Sequence, residues 1–416
     1  MSEAFRWPRA RLGKLLIFYG SGATPRGGKN AYRAAGVPLV RSMNVHDLRF
    51  ERSSLAFIDN TQAQLLNRVQ IMDNDVLLNI TGASVARCCL ASSLAVGGRV
   101  NQHVMILRTD PSVADARWIA RALAGPYKSS LLAIAGSGAT REALTRSDIE
   151  SFEVSLPTVD YQSKVADLLD AYDLLIENNR RRIEVLEEMA RLLYREWFVH
   201  FRFPGHEDVE LVDSDLGPIP KGWSTGRLVE ACSLVMGQSP KSEYYNDVGM
   251  GLPFHQGVSD FGNWFPTHTK WTTVDKRVAE PGDLLFSVRA PVGRINVAPD
   301  RLVVGRGLSA IRALDNHQCF LLMQIKNKFV VEDSIGGGTI FNAVTKKDME
   351  SILLLKPASS VVRQFEALVG PMVDLLSRLI QQNEVLREGR DLLLPRLVSG
   401  ELDLSELDLD LELATV

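Results

Sequence analysis

The chain has 416 residues and a formal net charge of -3, and 45% of the residues are hydrophobic and 23% charged. This length is too great for one hydrophobic core, so two domains with connecting elements are expected. No apolar run reaches the roughly 18 residues of a membrane-spanning helix, which excludes a membrane protein and favours the cytoplasm. Four scattered cysteines exclude a disulfide scaffold, and we expect buried free thiols.

The charge is distributed unevenly along the chain. Residues 1–157 carry 19 Lys and Arg against 12 Asp and Glu, and residues 223–357 carry 15 against 13. Residues 158–222 carry 8 against 14, and residues 401–416 hold six acids and no base. Two basic modules joined to an acidic remainder are typical of a protein whose modules meet an anion, although a solvated surface gives the same counts.

Residues 1–157 are predicted to form a first module of short strands with few helices. Apolar and β-branched runs predict strands at 75–80, 104–107 and 152–156, and a helix is predicted near 114–124. The fold class is therefore mixed, α/β (α+β), with β-rich modules.

Residues 158–202 are predicted to form one long helix. Steps of three and four residues connect a stripe that is typical of a coiled-coil seam, with one polar residue at its middle. At about 1.5 Å per residue, around 40 residues make a rod roughly 60 Å long. The stripe consists of Leu168, Tyr172, Leu175, Asn179, Ile183, Leu186, Ala190, Leu193 and Trp197.

Prolines and glycines predict that residues 203–222 form an extended linker before the second module. The second module, residues 223–357, has predicted strands at 283–288, 308–311 and 352–355 and a predicted helix at 318–330. A second long helix is predicted at 358–400, followed by an acidic tail at 401–416. Its stripe consists of Phe365, Leu368, Met372, Leu375, Leu379, Leu386 and Leu393, interrupted near Gln382 and Gly389.

The second module repeats the first at an offset of 200 residues. Residues 145–149, which begin with Thr145, recur as residues 345–349, which begin with Thr345. Earlier segments match less closely, with Arg87 opposite Arg294. A shared scaffold with different loops predicts two modules of different specificity. Antiparallel packing of the long helices would relate the modules by a pseudo-two-fold axis, whereas packing of each helix on its own module or on another protein is the alternative.

Three strings carry a family resemblance. They are GPIPKGW at 217–223, LEEMAR at 186–191 running into WFV at 197–199, and RDLLLPRLVSGEL at 390–402. Together they resemble the specificity (S) subunit of type I restriction-modification systems. The resemblance covers nearly the whole chain in architecture and is sharp in the helices, the linker and the Gly-rich segments.

The resemblance implies that the two modules are target-recognition domains, each reading one half of a split double-stranded DNA site. It also implies that the long helices pair as an antiparallel coiled coil with pseudo-two-fold symmetry. This coiled coil would dock modification (methyltransferase) subunits, two of them, and restriction/translocase subunits. The chain would then be no enzyme and would need no cofactor and no metal.

Candidate DNA contacts are basic and hydroxyl side chains in matched loops, where they would hold phosphates or read bases. The Gly-rich loops at 136–141 and 336–339 could hold a phosphate on their backbone N–H groups, but plain glycine turns would have the same sequence. The candidates in the first module are Arg26, Lys29, Arg87, Ser137, Thr140, Arg141 and Arg146. The candidates in the second module are Lys241, Arg289, Arg294, Arg306, Thr339, Lys346 and Lys347.

Enzyme motifs are not found in the sequence. A methyltransferase would need an Asn-Pro-Pro-aromatic or Pro-Cys string, and neither occurs. Residues 22–29 make a poor phosphate loop because Ala23 and Asn30 stand where Gly and Ser or Thr belong. The seven histidines have no metal-ligand spacing. The alternative to DNA recognition is a coiled-coil scaffold whose two modules bind protein partners, as the acidic tail would allow.

Overall fold

The computed structural model describes residues 7–137, 142–329 and 343–404. The chain divides into two compact units. Unit 1 combines Met1–Asn179 with Gln381–Val416, and unit 2 is Arg180–Ile380. Each unit therefore holds one strand-rich module together with part of each long helix.

Most of the regular elements described in both modules are short strands. Within the described residues they are β1 (Arg9–Arg11), β2 (Leu16–Ser21), β3 (Val37–Val40), β4 (Val45–His46), β5 (Arg49–Phe50), β6 (Ala56–Ile58), β7 (Val76–Asn79), β8 (Cys88–Leu90), β9 (Arg99–Val100), β10 (Val104–Thr109), β11 (Glu153–Ser155), β12 (Leu211–Val212), β13 (Ile219–Pro220), β14 (Ser224–Arg227), β15 (Cys232–Met236), β16 (Tyr245–Asn246), β17 (Leu252–His255), β18 (Trp271–Thr272), β19 (Val278–Ala279), β20 (Leu284–Ser287), β21 (Ile295–Val297), β22 (Leu302–Val304), β23 (Leu308–Ala313) and β24 (Leu353–Lys356).

The α-helices include two that are far longer than the rest. In chain order they are α1 (Asn60–Leu65), α2 (Ala116–Ala124), α3 (Lys128–Gly136), α4 (Arg146–Ser151), α5 (Val159–Phe198), α6 (Leu228–Ala231), α7 (Gln318–Lys328), α8 (Lys346–Glu350) and α9 (Ser359–Ser399). The predicted positions of both long helices, of α2 and α7 and of the six predicted strands are confirmed. The shorter helices α1, α3, α4, α6 and α8 were not predicted.

The two units repeat one sheet topology. Unit 1 contains an antiparallel sheet in the order β2-β10-β7-β8, and unit 2 contains one in the order β15-β23-β20-β21. A separate pair, β1 with β11 or β14 with β24, joins the start of each module to its end. Each unit also has one parallel pair, β3 with β9 and β17 with β22. The duplication therefore extends into the first half of each module, where sequence identity is low.

A matched ion pair stabilises the central strands of each sheet. Asp75 precedes β7 and accepts from the Nε of Arg108 on β10 at 2.7 Å. Asp283 precedes β20 and accepts from the Nε of Arg312 on β23 at 2.6 Å. The carboxylates are buried in both cases, with 0% and 4% side-chain exposure. A buried carboxylate needs a charged partner, so the guanidinium on the neighbouring strand makes this position tolerable.

Helices α4 and α8 begin in the same way. Thr145 and Thr345 each cap their helix, and the carboxylate three residues later bonds back to the cap. This capping box satisfies two backbone N–H groups that the first turn leaves open. The sequence match at these positions therefore reflects a local folding signal.

In unit 1, α5 and α9 pack against each other in antiparallel directions. The Tyr161 hydroxyl donates to the Leu402 carbonyl at 2.9 Å, and Arg390 bonds to Asp173 at 2.7 Å. Further along, Asn179 donates from Nδ2 to Asn383 Oδ1 at 3.1 Å. The predicted change to polar residues at mid-helix is confirmed as a buried amide contact.

In unit 2, the remaining parts of α5 and α9 pack through aromatic side chains. Tyr194 and Trp197 lie with ring centroids 6.2 Å and 6.0 Å from that of Phe365, and all three side chains are buried.

Each long helix also contacts the module that precedes it. Arg117 of α2 bonds to Asp167 of α5 at 2.6 Å in unit 1, and Glu366 of α9 accepts from the Phe320 N–H of α7 at 2.8 Å in unit 2.

The predicted stripes are partly wrong. Leu175 is 39% exposed, and Leu368 and Leu375 are 48% and 37% exposed. The buried positions on α9 are instead Val369 and Leu376, one residue later. The helix therefore steps by four residues where the prediction stepped by three, because apolar side chains occupy both neighbouring positions.

The other predicted seam residues face apolar surroundings to different degrees. Trp197, Phe365 and Leu379 are buried. Those that are partly buried are Leu168, Ile183, Leu186, Leu193, Met372 and Leu386. Leu168 and Leu393 pack on the core of unit 1, and Ile183, Leu186 and Leu193 pack on the core of unit 2.

The predicted free thiols are confirmed. Cys88, Cys89 and Cys232 are buried and Cys319 is half-buried, and none forms a disulfide. Burial raises the pKa of Cys89 and of Cys232 to about 12, so both remain protonated thiols. Among the described helices, none is long and apolar enough to cross a membrane.

Candidate nucleic-acid interface

Several loops of unit 1 converge at one end of its four-stranded sheet. Ser21, the last residue of β2, pairs with Met105, and Asn79, the last residue of β7, pairs with Val104. The loops that follow β2 and β7 and the loop that precedes β10 therefore lie side by side. We call them the sheet-end loops of unit 1: residues 22–30, 80–87 and 101–103.

A polar network connects these three loops. Thr24 Oγ1 donates to Gln102 Oε1 at 2.5 Å, and Gln102 Nε2 lies 3.0 Å from His103 Nε2. The other ring nitrogen, His103 Nδ1, lies 2.5 Å from Thr81 Oγ1. Gly22 allows the first loop to lie against the backbone before the third loop, because a Cβ on Gly22 would lie 1.7 Å from the Val100 carbonyl oxygen. The loops are thus held in one arrangement by side chains that remain partly open to solvent.

The sheet-end loops of unit 1 carry cations and no acid. None of their residues is Asp or Glu, whereas Arg26, Lys29 and Arg87 lie among them. Arg26 is exposed and Arg87 is half-buried. The loop around Arg26 is fixed to α1, since the Arg26 N–H donates to Gln62 Oε1 at 3.2 Å. Because no acidic residue of these loops offsets the cations, such a surface attracts an anionic backbone.

Arg146 lies apart from the sheet-end loops, beside the edge strand β2. Its guanidinium carbon is 4.5 Å from the centroid of the Tyr19 ring, a cation–π contact that holds the side chain over the strand. Arg68 and Arg146 line a groove of about 410 Å³ along β2. Arg146 therefore has a second cation near it, which the sequence did not indicate.

Unit 2 repeats the convergence with different side chains. Met236, the last residue of β15, pairs with Ser309, and Ser287, the last residue of β20, pairs with Leu308. We call residues 237–241, 288–294 and 305–307 the sheet-end loops of unit 2. They also contain no Asp or Glu. Their cations are Lys241, Arg289, Arg294 and Arg306, and all four are exposed.

The first and third of these loops contact each other as they do in unit 1. A Cβ on Gly237 would lie 2.1 Å from the Gly305 carbonyl oxygen, so only glycine permits the approach. The Arg306 N–H donates to Ser239 Oγ at 3.3 Å, and Ser239 Oγ donates to Gln256 Oε1 at 2.7 Å. Ser239 thus holds the position that Thr24 holds in unit 1.

Arg87 and Arg294 occupy equivalent places in the hairpins after β7 and β20. The Arg87 carbonyl accepts from the Asn79 N–H at 2.8 Å, and the Arg294 carbonyl accepts from the Ser287 N–H at 2.9 Å. The match read from the sequence is therefore confirmed geometrically. Arg289, in contrast, forms an isolated β-bridge with Ala343. Its counterpart in unit 1 is Thr81, which forms the same bridge with Ala143.

The remaining predicted contacts divide into three groups. Lys346 and Lys347 are exposed on the first turn of α8, where Lys346 pairs with Glu350 at 3.3 Å. Ser137 is exposed just after α3, so Gly136 ends a helix. Thr140, Arg141 and Thr339, with most of both Gly-rich loops, lie outside the described residues.

Some polar residues that lie in these loops or contact them were missed by the sequence prediction. Thr81, Gln102 and His103 in unit 1 and Gln256 in unit 2 point to no motif. The 200-residue offset gave no signal for Gln102, because only strand pairing places it opposite Arg306. Within the described residues, no cluster of three or more His, Cys, Asp or Glu could hold a metal ion.

Comparisons with known proteins agree with the sequence resemblance. No family model matches the chain. A Methanocaldococcus jannaschii protein provisionally named the MjaX specificity subunit of a type I restriction enzyme is 25% identical over 406 residues, or 95% of this chain and 93% of that protein. The MjaIX type I restriction enzyme specificity subunit of the same organism is 26% identical over 282 residues, 65% of each chain.

A solved structure supports the fold. The S subunit of a type I restriction-modification system from M. genitalium aligns with a TM-score of 0.63 at 16% identity, over 96% of this chain and 97% of that one. This chain is therefore similar in sequence to a type I restriction enzyme specificity subunit along nearly its whole length.

Proposed function

We propose that this chain is the DNA sequence-specificity subunit of a type I restriction-modification complex. Each module would read one half of a split double-stranded site, residues 1–157 and residues 223–357 being the two target-recognition domains. The observation that carries the proposal is the repeated construction of the sheet-end loops. Both units gather cations without acids at the same end of the same sheet.

The chemistry of such a surface suits duplex DNA. Lys and Arg on phosphates supply most of the affinity, while amide, hydroxyl and guanidinium groups discriminate between base edges. The candidate contacts are therefore proposed for both purposes, and they differ between the modules. Two different half-sites follow, one for each set of loops.

The rest of the chain would serve assembly. We propose that the long helices, residues 158–202 and 358–400, with the linker at 203–222 and the tail at 401–416, dock two modification (methyltransferase) subunits and the restriction/translocase subunits. The chain would act in the cytoplasm without catalysis of its own, because the partners carry out methylation and cleavage. The protein-scaffold alternative is not favoured, since the relatives along the chain are specificity subunits.

The decisive experiment is methylome sequencing of the host with and without this chain. We expect one split motif to lose its methylation when the chain is deleted and to regain it on complementation. In vitro, the intact chain should bind the same motif with an affinity that falls steeply with salt. Salt-insensitive binding to random duplexes, or an unchanged methylome, would refute the proposal.

Variants that replace cationic side chains with neutral ones assign the half-sites. Replacing Lys241, Arg289, Arg294 and Arg306 with Gln should abolish recognition of one half-site and leave the other half-site preference unchanged. The matched control replaces four exposed cations of unit 2 outside these loops, Arg202, Lys221, Arg227 and Arg301. Equal losses in both sets would mean that the loops have no special role.

A further inference from the structure

Each unit contains an exposed glutamine whose amide is held by a hydroxyl on the first sheet-end loop. In unit 1 the pair is Thr24 with Gln102, and the Oγ1 to Oε1 distance is 2.5 Å. In unit 2 the pair is Ser239 with Gln256, and the Oγ to Oε1 distance is 2.7 Å. Thr24 and Ser239 occupy equivalent positions after β2 and β15, so the hydroxyl is a shared feature of both modules.

The glutamines themselves come from different parts of the fold. Gln102 lies in the loop before β10, whereas Gln256 directly follows β17. The unit 2 counterpart of Gln102 is Arg306, since each lies three residues before the strand residue that pairs with the end of the first strand (Met105 and Ser309). A hydroxyl–glutamine pair is thus present in both units although the glutamine is supplied from two places.

Further contacts hold each glutamine, through the backbone in unit 2 and through side chains in unit 1. The Gly305 N–H donates to the His255 carbonyl at 2.8 Å, and the Gly307 N–H donates to the Gln256 carbonyl at 3.0 Å. In unit 1, Gln102 Nε2 meets His103, which contacts Thr81 in turn. An exposed side-chain hydrogen bond adds little to stability, but it removes rotamer freedom before a ligand arrives.

The hydrogen-bonding capacity left on these amides matches one base. A glutamine amide offers two lone pairs on Oε1 and two N–H groups on Nε2. The hydroxyl takes one lone pair of each, and His103 takes one N–H of Gln102. One lone pair and one N–H remain on Gln102, and one lone pair and both N–H groups remain on Gln256. Each amide can therefore still offer one lone pair and one N–H together, the combination that contacts the N6 and N7 edge of adenine in the major groove.

We propose that Gln102 and Gln256 each read an adenine, one in each half-site, and that Thr24 and Ser239 are the positioning residues. The proposal rests on the function proposed above and assigns base readout within it. Neighbouring cations, such as Arg26 and Lys241, would contact phosphates. Arg306 replaces Gln102 at the equivalent place in unit 2, so the two half-sites differ around their adenines.

The test begins with selection of duplexes from a random library by the intact wild-type chain, followed by affinities for every single-base change in the selected site. For Q102L we expect the preference for adenine at one position of one half-site to fall by about tenfold to a hundredfold. For Q256L we expect the same loss in the other half-site. Affinity for random duplex should not change in either variant.

The matched control is Q64L, which removes an exposed glutamine on α1 outside the sheet-end loops. The half-site that each variant leaves unaffected serves as an internal control for folding. T24V and S239A should weaken the same adenine preference by a smaller factor, because the amide remains but is no longer held.

The outcomes separate this inference from the function on which it rests. Unchanged base preferences in Q102L and Q256L, or a uniform loss of affinity for all duplexes, would overturn the adenine assignment while DNA recognition stands. Failure of the wild-type chain to select any split site would overturn both.

Discussion

Units 1 and 2 share a scaffold and differ where their loops meet solvent. The strand order of the four-stranded sheet, the Asp–Arg pair on its central strands and the Thr–Asp capping box occur in both. The sheet-end loops hold His103 and Gln102 in one unit but Arg289 and Arg306 in the other. The comparison indicates that shared polar contacts within each unit preserve the fold through duplication, while the side chains of the sheet-end loops differ.

The largest expected difference between the units is the stability lost when the arginine of the matched ion pair is replaced. The Arg108 side chain is 19% exposed and that of Arg312 is 47% exposed, so water can replace the second more easily. R108M should lower the free energy of unfolding of unit 1 by about 3–5 kcal/mol because Asp75 stays buried without its partner. R312M should cost unit 2 only about 1 kcal/mol.

Denaturant titrations would measure both changes, with unfolding of each unit monitored by hydrogen exchange of the backbone amides in β7 and β20. The double variant D75L/R108M is the control, since removal of the uncompensated charge should recover much of the stability. Equal losses in R108M and R312M would contradict the prediction.

The second difference is sensitivity to acid. His255 in unit 2 is fully buried, with Nε2 2.9 Å from His268 Nδ1 and Nδ1 3.6 Å from Asp260, and Asp300 lies beyond His268. Burial, followed by the charge of His268, lowers the pKa of His255 to about 4. Below the ordinary pKa of 6.5, His255 binds a proton in the unfolded chain but stays neutral in the folded chain. The stability of unit 2 therefore decreases as the pH is lowered.

Between pH 6.5 and about 4, His255 should cost unit 2 roughly 3 kcal/mol. Its counterpart in unit 1 is the apolar Val40, since these residues pair with Val304 and Val100. H255V should remove the acid sensitivity in unfolding titrations that follow unit 2. H200Q, at an exposed histidine, is the control, and an identical decline in H255V and wild type would contradict this assignment.

The third difference is the contact between the long helices. In unit 1 it includes the buried amides of Asn179 and Asn383, whereas in unit 2 it is aromatic around Phe365. N383L should destabilise unit 1 by about 2 kcal/mol, because it leaves the Asn179 amide short of a partner. N179L/N383L should restore or raise the stability while weakening the preference for one register.

Thermal unfolding would rank these variants against V385L, an exposed substitution on α9. A double variant less stable than N383L would contradict the argument that the lost partner causes the destabilisation.

The smallest expected difference concerns the phosphate contacts that we propose for Arg146 beside α4 and Lys346 on α8. Arg146 stacks on Tyr19, whereas Lys346 is paired with Glu350. R146Q should reduce the salt slope of DNA binding by about 1, and K346Q should reduce it less because Glu350 already offsets the charge. Salt titrations of duplex binding would measure both slopes. A loss confined to one base position would instead make Arg146 a base reader.

Periodicity predicted the long helices well but misassigned part of their buried faces. Residues 174–176 are all apolar, and spacing alone could not choose between Leu175 and the half-buried Ile176. The amide contact at Asn179 was predictable, because a polar residue inside an apolar stripe needs a partner. The missed residues Thr81, Gln102 and His103 lie in loops separated along the chain, and only strand pairing brings them together.

The sequence by itself determined the duplication, the long helices and the family resemblance, since each depends on residues close together in the chain or on a fixed offset. The tertiary structure alone decided which helix positions are buried and which loop side chains meet at the sheet ends. The physical reason is that burial and hydrogen bonding between distant segments depend on strand register and helix rotation, which local spacing does not specify.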